Sequence, residues 1–170
     1  MLKFPPGFLW GAATSSYQVE GGIEGSDWAA AARKKKVPPA GAACDHYRLF
    51  EEDFDIAKSL GHNAHRFSVE WARIEPSEGQ FDAKELEHYR GVIAALRARD
   101  ITPMITLWHF TLPLWLSEKG GALHPDFPHY FRRYCLKVVD SVGAPDILFV
   151  TINEPGIFAS MGFIRGAWPP

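Results

Sequence analysis

Short apolar runs recur in this chain at 64–69, 104–108 and 147–152, each set off from the next by one helical stretch. None shows the strict apolar/polar alternation of a strand with one wet face. Such runs suit parallel strands covered by helices. A fourth apolar segment, 8–13, opens the chain. The intervening stretches carry helix signals. In the first, Tyr47, Phe50, Phe54 and Ala57 fall at three- and four-residue spacing, with Asp45 as N-cap and Gly61 as the stop. The next starts at Asp82, where Glu85 completes a capping box, and its apolar face is Leu86, Tyr89, Ile93 and Leu96. The last starts near Asp126, has Pro128 in its first turn, carries Phe131, Tyr134, Val138 and Val142, and stops at Gly143.

Strands separated by single helices define an α/β chain of four βα units. They form half of an eight-stranded barrel or an open doubly wound sheet. No G-x-G-x-x-G follows the first strand and no Walker lysine motif is present, so nucleotide binding has little support. Polar residues gather where strands end: Gln18, His109, Asn153 and Glu154. In a barrel these C-terminal ends converge on one site.

With 170 residues, 46% of them apolar, the chain can bury one ordinary core, so residues 1–170 read as a single domain. A net charge of −2 gives no general attraction for nucleic acid or an acidic membrane. The basic run Arg33-Lys34-Lys35-Lys36 lacks flanking aromatics and reads as a solvated loop. No stretch approaches the ~20 apolar residues of a membrane span, and segment 8–13 is too short for a signal peptide. The expected location is cytoplasmic. Cys44 and Cys135 have no C-x-x-C spacing and read as reduced, structural thiols.

Glu154, delivered between Asn153 and Pro155 at a strand end, suits general acid catalysis, and the neighbouring amide can hold a substrate hydroxyl. Asn and Glu are also ordinary capping and turn residues, so this motif alone leaves a structural role open. His109 lies among the rings of Trp108 and Phe110, a mix of flat apolar walls and few polar groups that suits sugars; taken singly, such a residue is more often a satisfied interior histidine. None of the histidines forms a zinc-type i, i+4 pair with a plausible third ligand, so no metal site is indicated, and His62 and His65 read as packing or surface residues. Arg66, inside a strand, requires a carboxylate partner that the sequence does not make obvious.

The run from Phe8 through Trp10-Gly11-Ala12-Ala13-Thr14-Ser15-Ser16-Tyr17-Gln18-Val19-Glu20-Gly21 resembles the N-terminal signature of glycoside hydrolase family 1, the β-glucosidases and β-galactosidases. The resemblance continues through Asp45-His46-Tyr47, Arg66-Phe67-Ser68, Trp71-Ala72-Arg73-Ile74, His109 with Leu112-Pro113, Thr151 to Pro155, and Gly166-Ala167-Trp168-Pro169-Pro170. It implies the N-terminal half of a TIM (β/α)8 barrel from a retaining β-glycosidase, with a β-linked sugar as substrate and no cofactor. Glu154 would be the acid/base, while Gln18, His109 and Asn153 would hold the sugar. Arg66 would face the nucleophile, a glutamate in a Thr-Glu-Asn-Gly-like segment absent from these residues. The expected partner is a complementing C-terminal half-barrel or a second copy. The isolated 170 residues would then be inactive or very weak. A noncatalytic half-barrel that self-associates, and still binds sugars, is the alternative. Glu20 and Glu70 read as structural. The short basic segment 27–43, His65, and Phe110-Thr111 after the histidine depart from the family pattern and bear on substrate preference.

Overall fold

The computed structural model describes residues 3–143 and 147–170. In chain order the elements are β1 (Gly11–Ala13), α1 (Ser16–Val19), α2 (Asp27–Arg33), α3 (His46–Ser59), β2 (Ala64–Ser68), α4 (Trp71–Ile74), α5 (Ala83–Ala98), β3 (Thr102–Trp108), α6 (Leu114–Glu118), α7 (Phe127–Val142), β4 (Leu148–Ile152) and α8 (Pro155–Ala159). The four strands form one parallel sheet in the order β1-β2-β3-β4, with α3, α5 and α7 as the long crossovers. Parallel neighbours cannot be joined by a tight turn, so each crossover must carry a covering element. This is half of a (β/α)-barrel.

Side-chain alternation sorts the two faces of the sheet. Phe67 of β2 and Ile105 and Leu107 of β3 enter a core completed by Phe54 and Ala57 of α3, by Leu86, Tyr89, Ile93 and Leu96 of α5, and by Tyr134, Val138 and Val142 of α7. Trp71 of α4 stacks on Tyr134, with centroids 4.5 Å apart and planes 10° from parallel. Each such fully buried side chain contributes about 1.5–3 kcal/mol by leaving water. On the opposite face Arg66 and Ser68 of β2 meet Thr106 and the polar residues beyond the strand ends. At Gly11 a Cβ would lie 2.0 Å from the Ala64 carbonyl oxygen, so only glycine lets β1 approach β2 this closely.

The two outer strands are open. All three residues of β1 are exposed, as are Leu148, Phe149 and Thr151 of β4. Phe4, Phe8 and Trp10 cluster on the surface before β1, with ring centroids 4.5–4.8 Å apart.

Several local expectations are corrected. The first strand contains only Gly11–Ala13 of the segment 8–13, because Phe8 is turned by a hydrogen bond to the Pro5 carbonyl. The stretch ending in the basic run contains a helix: Ser26 Oγ accepts from the Ala29 amide, and four alanines follow, the best helix formers. Asp45 precedes α3 but does not cap it; its backbone is left-handed, at φ 55°, and Arg48 holds its carboxylate. Asp82 does cap α5, through the amides of Lys84 and Glu85, yet the Glu85 carboxylate accepts from the Tyr47 hydroxyl at 3.0 Å instead of closing a capping box. Both cysteines are free thiols as expected; Cys135 is half-buried against the core, whereas Cys44 is exposed. The basic side chains are solvent-exposed, as expected.

Candidate functional site

Gln18 lies on α1, just past β1, and His109 lies immediately past β3; both line one pocket of about 100 Å³ with Tyr17, Trp28, Phe110 and Trp168. The Gln18 Oε1 atom accepts from Ser15 Oγ at 2.8 Å, which orients the amide and leaves its NH2 free to donate. His109 is aimed by a tight reversal of the chain. The Thr111 amide donates to the His109 carbonyl at 2.9 Å, and Phe110 between them has φ 72°, the strained geometry of a γ-turn. Thr111 is anchored in turn: its hydroxyl donates to the buried Glu70 carboxylate at 3.0 Å, and its carbonyl accepts from Trp108 Nε1 at 2.9 Å. Burial, helped by the nearby Arg66 charge, lowers the His109 imidazole to about 4, so the ring is neutral at neutral pH. Its Nδ1 is buried without a protein partner.

Arg66 and Asn153 meet across the sheet. The guanidinium donates to Thr106 Oγ1 and to Asn153 Oδ1, each at 2.7 Å, and has no carboxylate partner among the described residues. Asn153 is buried and its backbone N–H donates to the Trp108 carbonyl at 2.9 Å, which fixes it beside His109. With Oδ1 occupied by arginine, the Asn153 side chain presents an NH2 donor. Glu154 follows with φ 42° and ψ 58°, an uncommon left-handed conformation for glutamate. It is exposed, and it stands outside the lining of the Gln18–His109 pocket.

Beneath the strand ends lies a buried acidic network. Glu70, fully buried, accepts from Ser16 Oγ at 2.7 Å, from Thr111 and from the Ala72 amide; burial raises its pKa against these bonds. Glu20 accepts from Arg73 Nε at 3.0 Å and from the Tyr89 hydroxyl at 2.9 Å, and burial raises it to about 7 despite Arg73. These bonds occupy both carboxylates with the scaffold, in keeping with their structural reading. Asp27 ties α2 to the loop after His109: its amide donates to the Leu112 carbonyl, and its Oδ1 accepts from the amides of Leu112 and Trp28, at 2.9 and 2.8 Å for the last two.

The rings were only partly legible. Trp108 is buried against Phe127 and Phe158, so it supports the site instead of facing it, whereas Phe110 does line the pocket. Tyr17, Trp28 and Trp168 were missed as walls. Trp28 packs on Tyr17 and on Trp168, with centroids 5.6 and 5.4 Å away. Its one sequence signal is a large ring directly before the alanine run. No group of histidine, cysteine and acidic side chains able to hold a metal occurs among the described residues.

A parallel half-barrel that gathers a neutral imidazole, two amides, an arginine and a glutamate near its strand ends places the chain in the (β/α)-barrel class. The chain belongs to glycosyl hydrolase family 1, whose family model matches residues 1–170. It is 37% identical over 180 aligned positions to the 1,4-β-D-glucan glucohydrolase of Thermotoga neapolitana, covering all of this chain and 42% of that protein. It is 34% identical to the human cytosolic β-glucosidase, over 99% of this chain and 39% of that protein. Among solved structures, the β-glycosidase from Pyrococcus horikoshii is 41% identical with a TM-score of 0.93, over 99% of this chain and 40% of that one. The Thermotoga maritima β-glucosidase in complex with castanospermine is 36% identical with a TM-score of 0.92, over 97% of this chain and 40% of that one. The chain thus spans about two-fifths of the length of the relatives it matches.

Proposed function

We propose that residues 1–170 are one folding domain that supplies the acid/base half of a retaining β-glycosidase site. Glu154 is the acid/base. Gln18, His109 and Asn153 hydrogen-bond the sugar, Trp28, Phe110 and Trp168 wall its apolar faces, and Arg66 faces the nucleophilic carboxylate. The observation that carries this reading is the Arg66–Asn153 bond: a cation held by a threonine and an amide, with no described carboxylate beside it, leaves a place for one. A retaining mechanism needs its two carboxyls about 5–5.5 Å apart. Glu20 and Glu70 are buried and fully engaged, so neither serves as nucleophile. The nucleophile comes from a second half-barrel docked on the open strands.

The isolated 170-residue chain therefore lacks ordinary glycosidase turnover. Purified protein incubated with a nitrophenyl β-glucoside will release no nitrophenol above its own Glu154→Gln control. Turnover by the wild-type chain that the substitution abolishes would contradict the split-site reading. The exposed Trp10, Leu148, Phe149 and Ile164 favour, as a second reading, pairing of two copies into a noncatalytic assembly. A stable, inactive homodimer that resists an added C-terminal half distinguishes it.

A further inference from the structure

One buried side chain joins the two segments that carry Gln18 and His109. Glu70, immediately before α4, is fully buried. Ser16, the first residue of α1 and two residues before Gln18, donates its hydroxyl to Glu70 Oε2 at 2.7 Å. Thr111, two residues beyond His109, donates its hydroxyl to the same carboxylate, 3.0 Å from Oε2 and 3.1 Å from Oε1. The Ala72 amide adds a bond to Oε1 at 3.1 Å, and the Glu70 amide donates to the Tyr89 hydroxyl at 2.9 Å. Glu70 is thereby fixed to α4 and α5, and it cannot follow either segment if that segment moves. No hydrogen bond joins residues 15–18 directly to residues 109–111 among the described residues. The carboxylate is their shared support. Each hydroxyl is buried with it, so moving either segment away would leave a buried polar group unpaired, which is costly.

We propose that Glu70 is a positioning residue that sets the spacing of Gln18 and His109, so that a change on one side of their pocket is felt on the other through its carboxylate. The proposal rests on the reading of these two residues as sugar-holding groups and adds what aligns them. With the amide and the imidazole set by one rigid support, the pair of sugar hydroxyls they reach together is chosen before the sugar arrives, which lowers the ordering cost of binding. The Phe110 reversal depends on the same bond. Its strained φ of 72° persists because Thr111 is held on its far side. Asp27 holds the following residue, Leu112, through the Leu112 amide at 2.9 Å, so the loop stays seated when Thr111 alone loses its hydroxyl.

The test is a mutant cycle read by NMR of the Gln18 side-chain NH2 and the His109 ring in the 170-residue protein. Thr111→Val and Ser16→Ala each remove one hydroxyl and leave Glu70 in place. Thr111→Val should shift the Gln18 NH2 resonances, and Ser16→Ala should shift the His109 ring resonances. Thr111→Ser keeps the donor and should leave Gln18 at its wild-type position. In the Ser16→Ala background, Thr111→Val should no longer move Gln18, because the route through Glu70 is already cut. The proposal is overturned if each variant shifts only its own segment, or if Thr111→Ser acts like Thr111→Val. It is also overturned if Gln18 responds to Thr111→Val equally with and without the Ser16 hydroxyl, since the effect would then cross the pocket directly. The readout uses no sugar, so it is decided independently of the proposed hydrolysis.

Discussion

At the scale of single residues, the site works by assigning hydrogen-bond roles in advance. Arg66 takes the Asn153 carbonyl and Ser15 takes the Gln18 carbonyl, so both amides present donors. The half-buried His109 stays neutral and can both donate and accept. The acidic residues below have a different consequence. Glu20 is raised to about 7 from 4.5, chiefly by burial, so the folded state holds its proton more tightly than the unfolded chain does. The contribution of this group to stability is therefore fully present below about pH 4.5 and is lost as pH rises through about 7. Asp27, also raised to about 7 by burial, acts in the same direction. His65, His88 and His109, each lowered to about 4, act the opposite way, so the test is a difference: in urea unfolding, the stability of the wild type relative to Glu20→Gln should fall as pH rises from 5 to 8. A difference that stays flat or climbs across this window would show that burial does not dominate at Glu20.

At the scale of elements, the sequence was most legible where one interaction decides the outcome. The faces Leu86, Tyr89, Ile93, Leu96 and Tyr134, Val138, Val142 are buried as their periodicity requires, because helix packing follows the apolar stripe. What was not legible depends on competing partners, near in the chain for Asp45 and distant for the others. Asp45 is drawn away from capping by Arg48, and Glu85 by Tyr47 from another helix. Arg66 found a threonine on β3 and an amide just past β4, which spacing cannot reveal. Helix α2, masked by its basic end, rests on a single buried cap. Ser26→Ala removes it and should lower stability by about 1 kcal/mol in urea unfolding. Because Trp28 is in the first turn of α2, the same substitution should also change the tryptophan fluorescence. Close approach fixes β1 as well. Gly11→Ala places a methyl group against the Ala64 carbonyl, and amide exchange should show faster opening of Ala64 and Arg66.

At the scale of the whole molecule, the four-stranded sheet is buried in its middle and open at both sides. Open parallel edges carry unpaired backbone groups, and barrels remove them by closure. Arg66, at the strand ends, is held by Thr106 and Asn153 and has no carboxylate partner among the described residues. On the proposed function, a second half-barrel covers the open side and completes the site. The measurement that tests this most directly appends to residue 170 the remaining C-terminal part of the Pyrococcus horikoshii β-glycosidase, to which this chain is 41% identical, and follows hydrolysis of an alkyl β-glucoside. The account predicts a folded chimera that hydrolyses the glucoside and loses about 10²–10⁴-fold in kcat on Glu154→Gln. A folded chimera whose hydrolysis is unchanged by Glu154→Gln would contradict it.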